Sequence, residues 1–199
     1  MIEYDVRVDE DPFEVLERWW RLARGARSLT ADSMCLATAN AGGRPSARIV
    51  LLRGLDRNGL RFYTSYLSRK GRELEENSAV AVVLYWPELE RQVRVEGIAR
   101  MSSEDESDAY FESRPRGHRL GAWASEQSEP VEDHGLLDER FEAYESRFEG
   151  EEVPRPHSWG CYTIVPHGIE FWQSRPNRLH DRIRFERVGT GWEAVRLQP

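Results

Sequence analysis

The sequence predicts a mainly β, α+β fold: an antiparallel barrel with its helices packed outside. Three observations lead there. Seven or so short strand-like runs follow one another along the chain. Turn signals such as Asn40-Ala41-Gly42-Gly43, Asp56-Arg57-Asn58-Gly59 and Gly189-Thr190-Gly191 separate several of them. Only a few helical patterns accompany them, and closing the sheet into a barrel would hide its edges. A chain of 199 residues can bury a real core. It contains no internal repeat, no low-complexity segment and no clear boundary, so one domain is expected.

Residues 1–10 are polar and expected to be loose. Asp11 and Pro12 read as a helix N-cap and first helical residue. Phe13, Leu16, Trp20 and Ala23 recur at helical spacing, so the first helix runs to about Ala26. Residues 34–38 form an apolar strand, and residues 46–55 return beside it as a hairpin. Residues 60–64 complete a three-strand meander. Residues 68–76 form a short helix. Residues 79–86 are continuously apolar and rich in β-branched side chains, which predicts a strand covered on both faces and ended by Pro87. Residues 92–101 set Val93, Val95 and Ile98 among polar residues, as a half-exposed strand does. Ser102-Ser103-Glu104 opens a helix carrying Tyr110 and Phe111. It stops near Arg114, because Pro115 disfavours helical geometry in the residue before it. A second short helix covers residues 120–124, a loop residues 126–133, and a strongly charged helix residues 136–148. Pro154-Arg155-Pro156 is an extended connector. Strands at 159–165, 169–173, 179–187 and 192–197 close the chain.

Composition excludes several functions. The net charge is −7, and the arginines are interspersed with acidic runs such as Glu104-Asp105-Glu106; a general nucleic-acid binder carries a basic surplus. Cys35 and Cys161 form neither a CxxC pair nor a metal-ligand cluster, so no metal is expected and the two read as small buried residues of a reducing compartment. The first residues lack the pattern of a secretory signal, and the longest apolar run is too short to span a bilayer. A soluble cytoplasmic protein is expected.

Among 28 lysines and arginines only one is lysine, Lys70. It lies in Ser68-Arg69-Lys70-Gly71-Arg72, downstream of Arg48-Ile49-Val50-Leu51-Leu52-Arg53 and Arg61-Phe62-Tyr63-Thr64-Ser65. Two strands delivering Arg48 and Tyr63-Thr64, with a helix start adding Arg69, Lys70 and backbone N–H groups, would make an anion pocket. Solvated charges opening a surface helix are the alternative. A second stretch runs from Phe171 to Arg182. Strand alternation puts Arg178, His180, Arg182 and Arg184 on one face, with Leu179, Ile183 and Phe185 on the core side beside Asp181. Such a cation row repels itself unless an anion faces it or carboxylates from elsewhere in the fold do. Tyr110 and Arg114 are four residues apart, on one helical face, and could clamp a phosphate ester. No GxGxxG, GxSxG or HExxH pattern and no obvious nucleophile–base arrangement is present. A phosphorylated cofactor that carries the chemistry is therefore the natural hypothesis.

Taken in order, these segments resemble the pyridoxine/pyridoxamine 5′-phosphate oxidase family. The matching segments are Arg48-Ile49-Val50-Leu51-Leu52, Phe62-Tyr63-Thr64-Ser65, Ser68-Arg69-Lys70-Gly71, Leu89-Glu90-Arg91-Gln92-Val93, Ser113-Arg114-Pro115-Arg116, Gly121-Ala122-Trp123-Ala124-Ser125 with Gln127-Ser128, Ile169-Glu170-Phe171-Trp172-Gln173 and Arg178-Leu179-His180-Asp181-Arg182. Each is weak alone; the ordered set is specific. The resemblance implies a single split-barrel domain over residues 1–199, a homodimer, and FMN held at the subunit interface. It implies that Arg48, Arg69 and Lys70 hold the FMN phosphate, with Ile49, Val50, Leu51, Tyr63, Thr64 and Gln92 along the flavin. Gln127, Ser128, Trp172 and Arg182 would complete that site, some from the other subunit. Tyr110 and Arg114 would grip the phosphate of a B6 vitamer, with Arg53 and His118 beside them. Arg178 and His180 would orient the substrate during oxidation to pyridoxal 5′-phosphate, with O2 taking the electrons as hydrogen peroxide.

The chain departs from the family on the substrate side. Arg53 stands where a lysine is usual and His118 where a serine is, and the stretch before residue 11 lacks the family's basic segment. A related flavin oxidase acting on another reduced ring, as in phenazine biosynthesis, or a non-catalytic flavin or pyridoxal-phosphate carrier, are the alternatives. Arg48 and Arg53 are an odd number apart, so an ideal strand would turn them to opposite faces. Either the strand bulges there, or the two serve different subunits' sites.

Overall fold

Local chemistry starts the first element where the sequence places it. The Asp11 carboxylate accepts from the Phe13 N–H at 2.8 Å and the Glu14 N–H at 3.4 Å. Pro12 occupies the first turn, whose free N–H groups it does not need. The helix α1 (Pro12–Gly25) buries Val15, Leu16, Trp19 and Ala23. The structure is a computed structural model and describes residues 5–26 and 28–199. Residues 1–4 of the stretch expected to be loose lie outside them. Residues 5–10 are fastened: Val6 is buried, and Asp5 accepts from the Trp19 indole N–H and pairs with Arg91 at 2.7 Å.

Among the described residues nine antiparallel strands follow: β1 (Ser33–Ala39), β2 (Pro45–Leu51), β3 (Gly54–Asp56), β4 (Gly59–Ser65), β5 (Ala79–Trp86), β6 (Arg91–Met101), β7 (Trp159–Gln173), β8 (Asp181–Val188) and β9 (Gly191–Leu197). The sheet runs β2-β1-β5-β6-β7-β4-β3, with β8 on β7 and β9 on β8. β2 and β3 stand at opposite ends of that path, yet only Leu52 and Arg53 join them. The sheet must therefore curl until its ends meet. Leu52 and Arg53 are fixed at the corner by N–H bonds to the Asp32 carbonyl (2.8 Å) and the Arg61 carbonyl (2.9 Å). β7 pairs with β4 through its first half and with β8 through its second, while β6 runs along its other edge. One long strand thus serves both sides of a split antiparallel barrel, as the fold class predicted.

Trp19, Phe62, Leu36, Leu84, Trp86, Ile164 and Phe171 lie in the barrel core, and α1 contributes one wall of it. A separate apolar cluster joins Phe111, Leu120, Phe148, Val153 and Trp159 beneath α3 (Glu104–Ser113), α4 (Arg116–Ala124) and α5 (Gly135–Arg147). The helix α2 (Arg69–Glu76) packs beside β1.

Four expectations are corrected. The strand at 46–55 breaks after Leu51, because the barrel corner needs a bend. The strands at 159–165 and 169–173 are one, interrupted only by a register shift opposite Glu96 and Gly97. β5 is buried on alternate residues only: Val80, Val82, Leu84 and Trp86 point inward, while Ala79, Ala81 and Tyr85 are exposed. Finally, β8 starts at Asp181. The chain before it makes a short 3₁₀ turn in which Asn177 and Arg178 both have φ of 59°. Arg178 and His180 therefore do not share a strand face with Arg182 and Arg184, and Leu179 is 68% exposed rather than core.

Candidate functional site

The site begins where α2 begins. The Ser68 hydroxyl accepts from the Gly71 N–H at 3.3 Å and caps the helix. A Cβ on Gly71 would come within 2.0 Å of the Tyr66 carbonyl oxygen, so only glycine lets this first turn lie against β4's end. That close approach turns Lys70 inward, where it is buried. Its ammonium donates to Gln127 Oε1 at 2.9 Å, Thr64 Oγ1 at 3.1 Å and Ser68 Oγ at 3.2 Å. All three are neutral oxygens, so the charge is solvated but not balanced. Burial, and then repulsion from Arg48, lower the Lys70 pKa to about 8, against a smaller opposing pull from Glu73.

Arg48 comes from β2. Its guanidinium donates to Thr38 Oγ1 at 2.6 Å, to the Leu36 carbonyl at 3.2 Å and to the Ser46 hydroxyl, and pairs with Glu73 at 3.2 Å. Glu73 lies four residues after Arg69 on α2 and accepts from its Nε at 2.9 Å. Burial alone would raise the Glu73 pKa; bonds from Ser46, Thr38, Arg69 and Arg48 outweigh it and bring it down to about 2. Arg48 and Arg69 thus share a single carboxylate, which acts on Lys70 only through space.

These residues line a cavity of about 950 Å³. Tyr63 and Tyr110 stack there with ring centroids 3.7 Å apart, and Trp159 lies parallel, 5.6 Å from Tyr63. Such stacked pairs contribute about 0.5–1.5 kcal/mol each beyond their burial. Burial raises the Tyr63 pKa, so its hydroxyl stays protonated. Arg114 caps α3 and lays its guanidinium over Trp159 at 4.6 Å and Phe111 at 5.5 Å. Among the described residues its Nη1 is buried with no hydrogen-bond partner, and burial lowers the Arg114 pKa. Ile49, Val50, Leu51, Arg53, His118, Gln127 and Ser128 line the same space. Arg53 reaches Asp32 at 3.5 Å. The odd spacing of Arg48 and Arg53 is resolved by the corner: strand alternation ends at Leu51, so both arginines face one cavity.

Five predicted site residues do not line it. Gln92 sits on β6 in register with Trp172 of β7. The Trp172 ring is 4.6 Å from the His180 ring, and His180 Nδ1 accepts from the Arg175 N–H at 3.2 Å. Arg178 lies in the 3₁₀ turn. Arg182 pairs with Glu170 at 2.8 Å, and Arg184 with Glu96 at 2.8 Å and with Glu186. Glu96 is held below the usual carboxylate range, chiefly by its bond from Arg184. Arg182 and Arg184 are balanced by carboxylates of the chain itself, so the electrostatic case for an external anion facing these two does not hold.

Thr38, Ser46, Glu73 and Trp159 were not singled out from sequence. The spacing of Arg69 and Glu73 is an i,i+4 pair and could have flagged Glu73. Nothing local marks Trp159, whose neighbours Tyr63 and Tyr110 arrive from distant elements.

Comparison with known proteins agrees with this architecture. A family model described as "Pyridoxamine 5′-phosphate oxidase" matches residues 26–148. One described as "Pyridoxine 5′-phosphate oxidase C-terminal dimerisation region" matches residues 159–199. A protein of Rubrobacter xylanophilus named pyridoxine/pyridoxamine 5′-phosphate oxidase is 56% identical over 191 residues, covering 96% of this chain and 88% of its own. Its counterpart in Paraburkholderia phymatum is 50% identical over 193 residues, covering 96% and 91%. Among solved structures, PhzG from Burkholderia lata 383 in complex with tetrahydrophenazine-1-carboxylic acid superposes with a TM-score of 0.90. It is 35% identical, covering 95% of this chain and 93% of that one. The chain belongs to the pyridoxine/pyridoxamine 5′-phosphate oxidase family of enzymes.

Proposed function

We propose that this chain is an FMN-dependent oxidase converting pyridoxine or pyridoxamine 5′-phosphate to pyridoxal 5′-phosphate, acting as a homodimer. One observation carries the reading. A single cavity holds a buried ammonium with only neutral oxygens on it, Lys70, and a guanidinium nitrogen buried without a partner, on Arg114. Two uncompensated cations inside one space are costly unless anions enter. Two phosphate esters answer that cost.

The residues present fit FMN. Arg48, Arg69 and Lys70 would take its phosphate, and Ile49, Val50, Leu51, Tyr63, Thr64, Gln127 and Ser128 the remainder. Tyr110, Arg114, Arg53 and His118 would hold the substrate phosphate. Gln92, Trp172, Arg178, His180 and Arg182 would serve the cavity of a second subunit. The match of residues 159–199 to a dimerisation region supports this. So do Ile49 (63% exposed), Leu51 (42%) and Tyr85 (52%), which leave apolar surface on β2 and β5 for a mate to cover.

When bound, FMN supplies two-electron oxidation of the amine- or alcohol-bearing carbon, the electrons passing to O2 as hydrogen peroxide. The chain's own contribution is placement and charge. Arg114 and Tyr110 would fix the substrate's phosphate end and so its ring position. His180 accepts at Nδ1 from Arg175, so its proton sits on Nε2, where it can donate to a substrate oxygen. Arg178 would add a positive charge beside the reacting ring.

Purified protein should be yellow and release peroxide when given pyridoxine or pyridoxamine 5′-phosphate. Bound flavin without turnover on either would reject the substrate; colourless protein that takes up no FMN would reject the whole reading. A second reading, a flavin oxidase of phenazine-type rings, is favoured by the PhzG superposition at a TM-score of 0.90. It predicts that Arg114→Ala leaves turnover of the true substrate intact, whereas a phosphorylated vitamer requires Arg114.

A further inference from the structure

We infer that Glu73 is a positioning residue for the cofactor-phosphate subsite, orienting Arg48 and Arg69 toward one anion; this rests on the reading of Arg48, Arg69 and Lys70 as that subsite. Glu73 is 6% exposed, too deep to be a solvated surface charge. Both of its oxygens are used. Oε1 accepts from Arg69 Nε at 2.9 Å. Oε2 accepts from the Ser46 hydroxyl at 2.6 Å, the Thr38 hydroxyl at 2.5 Å and Arg48 Nη2 at 3.2 Å. Every neighbour donates, and a carboxylate is an acceptor only, so the match of donors to acceptors is complete.

Arg48 and Arg69 come from different elements, β2 and α2, and Glu73 is the atom group they share. A guanidinium has five N–H donors in a rigid fork. Fixing one edge on Glu73 commits the other edge, and in Arg69, 59% of whose side chain is exposed, no other bond among the described residues restrains the head. The carboxylate also keeps two like charges together while no ligand is present.

Substitution Glu73→Gln keeps size and shape but converts one acceptor into a donor. That donor must face either Arg69 or the group of Thr38, Ser46 and Arg48, so one arginine loses its bond to residue 73. The charge change opposes this, since removing an anion favours an entering phosphate. Ratio measurements separate the two effects. Riboflavin shares the flavin ring with FMN and lacks the phosphate, so apoprotein is titrated with each and the quenching of flavin fluorescence gives both affinities. The expected result is that the FMN-to-riboflavin affinity ratio drops about tenfold in Glu73→Gln with riboflavin affinity unchanged, the scale of one charge-assisted bond.

A ratio that stays constant or rises overturns the inference. A merely structural role lowers both affinities together and also overturns it. Wild-type protein that binds FMN no better than riboflavin instead overturns the assignment of the subsite itself. Should Glu73→Gln fail to fold, Thr38→Val removes, with little change of shape, one donor from Oε2 together with the acceptor of Arg48 Nη1, and so loosens the same Arg48–Glu73 cluster. It should lower the same ratio by a smaller factor; no change in its ratio also overturns the inference.

Discussion

Lys70 titrates in a range that binding experiments reach. Its pKa is about 8, against an ordinary 10.5. The folded, ligand-free protein therefore carries the cost of a buried ammonium in full below pH 8. That cost fades as pH rises from 8 toward 10.5, so Lys70 makes the apoprotein relatively more stable across that window. An anion on Lys70 raises its pKa, so the effect on ligand affinity has the opposite sign. FMN affinity should hold steady between about pH 7 and 8, then fall by up to tenfold per pH unit above 8, as read by fluorescence titration. Lys70→Ala should weaken FMN binding about 10- to 100-fold and abolish that alkaline fall. Glu73 works at the other end of the scale. Its pKa of about 2 lies below the ordinary 4.5, so its contribution is complete above pH 4.5 and lost as pH falls toward 2. Chemical denaturation between those limits, with Glu73→Gln as reference, should show part of the acid loss missing from the variant.

At the scale of elements, α2 is the piece whose placement is most exacting. Gly71→Ala puts a methyl group against the Tyr66 carbonyl, a contact of 2.0 Å that backbone must relieve. A loss of about 1–3 kcal/mol in stability is expected. Because the shift moves Arg69 and Lys70 with the helix start, FMN affinity should fall too; unchanged affinity would mean that α2 tolerates displacement. Most elements were legible in the sequence because their signals are local. Asp11-Pro12 and Ser68 mark helix starts, and Pro115 stops α3. Two of the failures share a cause. The break after Leu51 and the union of 159–173 into one strand depend on how the sheet closes, and that is decided by pairing between distant strands. The 3₁₀ turn at 176–178 was hidden by a run of cations that fits strand alternation equally well. The anion pocket of residues 48–72 was legible because a strand, a strand and a helix start fall within a short stretch. Its other components, Gln127, Tyr110 and Arg114, are remote, and the family resemblance, not spacing, put them there.

The whole molecule divides the expected site in two. Tyr63, Lys70, Tyr110, Arg114 and Gln127 line one cavity, whereas Trp172, His180 and Arg182 gather on the second half of β7, on β8 and at the residue just before β8. A dimer that brings the second group of one subunit to the cavity of the other would reunite them. Mixing two impaired variants, Arg114→Ala and His180→Ala, should then raise turnover per subunit to about a quarter of wild type in the mixture, because half the dimers are mixed and each has one intact site. No restoration after subunit exchange would place all the groups in one chain's site. The chain's net charge is −7, and the cavity lined by Arg48, Arg53, Arg69, Lys70 and Arg114 is cationic, which directs attention to what enters there. The most direct measurement compares kcat/KM for pyridoxine 5′-phosphate with that for pyridoxine in the flavin-loaded protein. The account predicts a preference for the phosphorylated form of at least 100-fold, shrinking about 10- to 100-fold in Arg114→Ala, on the scale of charge-assisted bonds to a guanidinium. Equal turnover of both forms would contradict it.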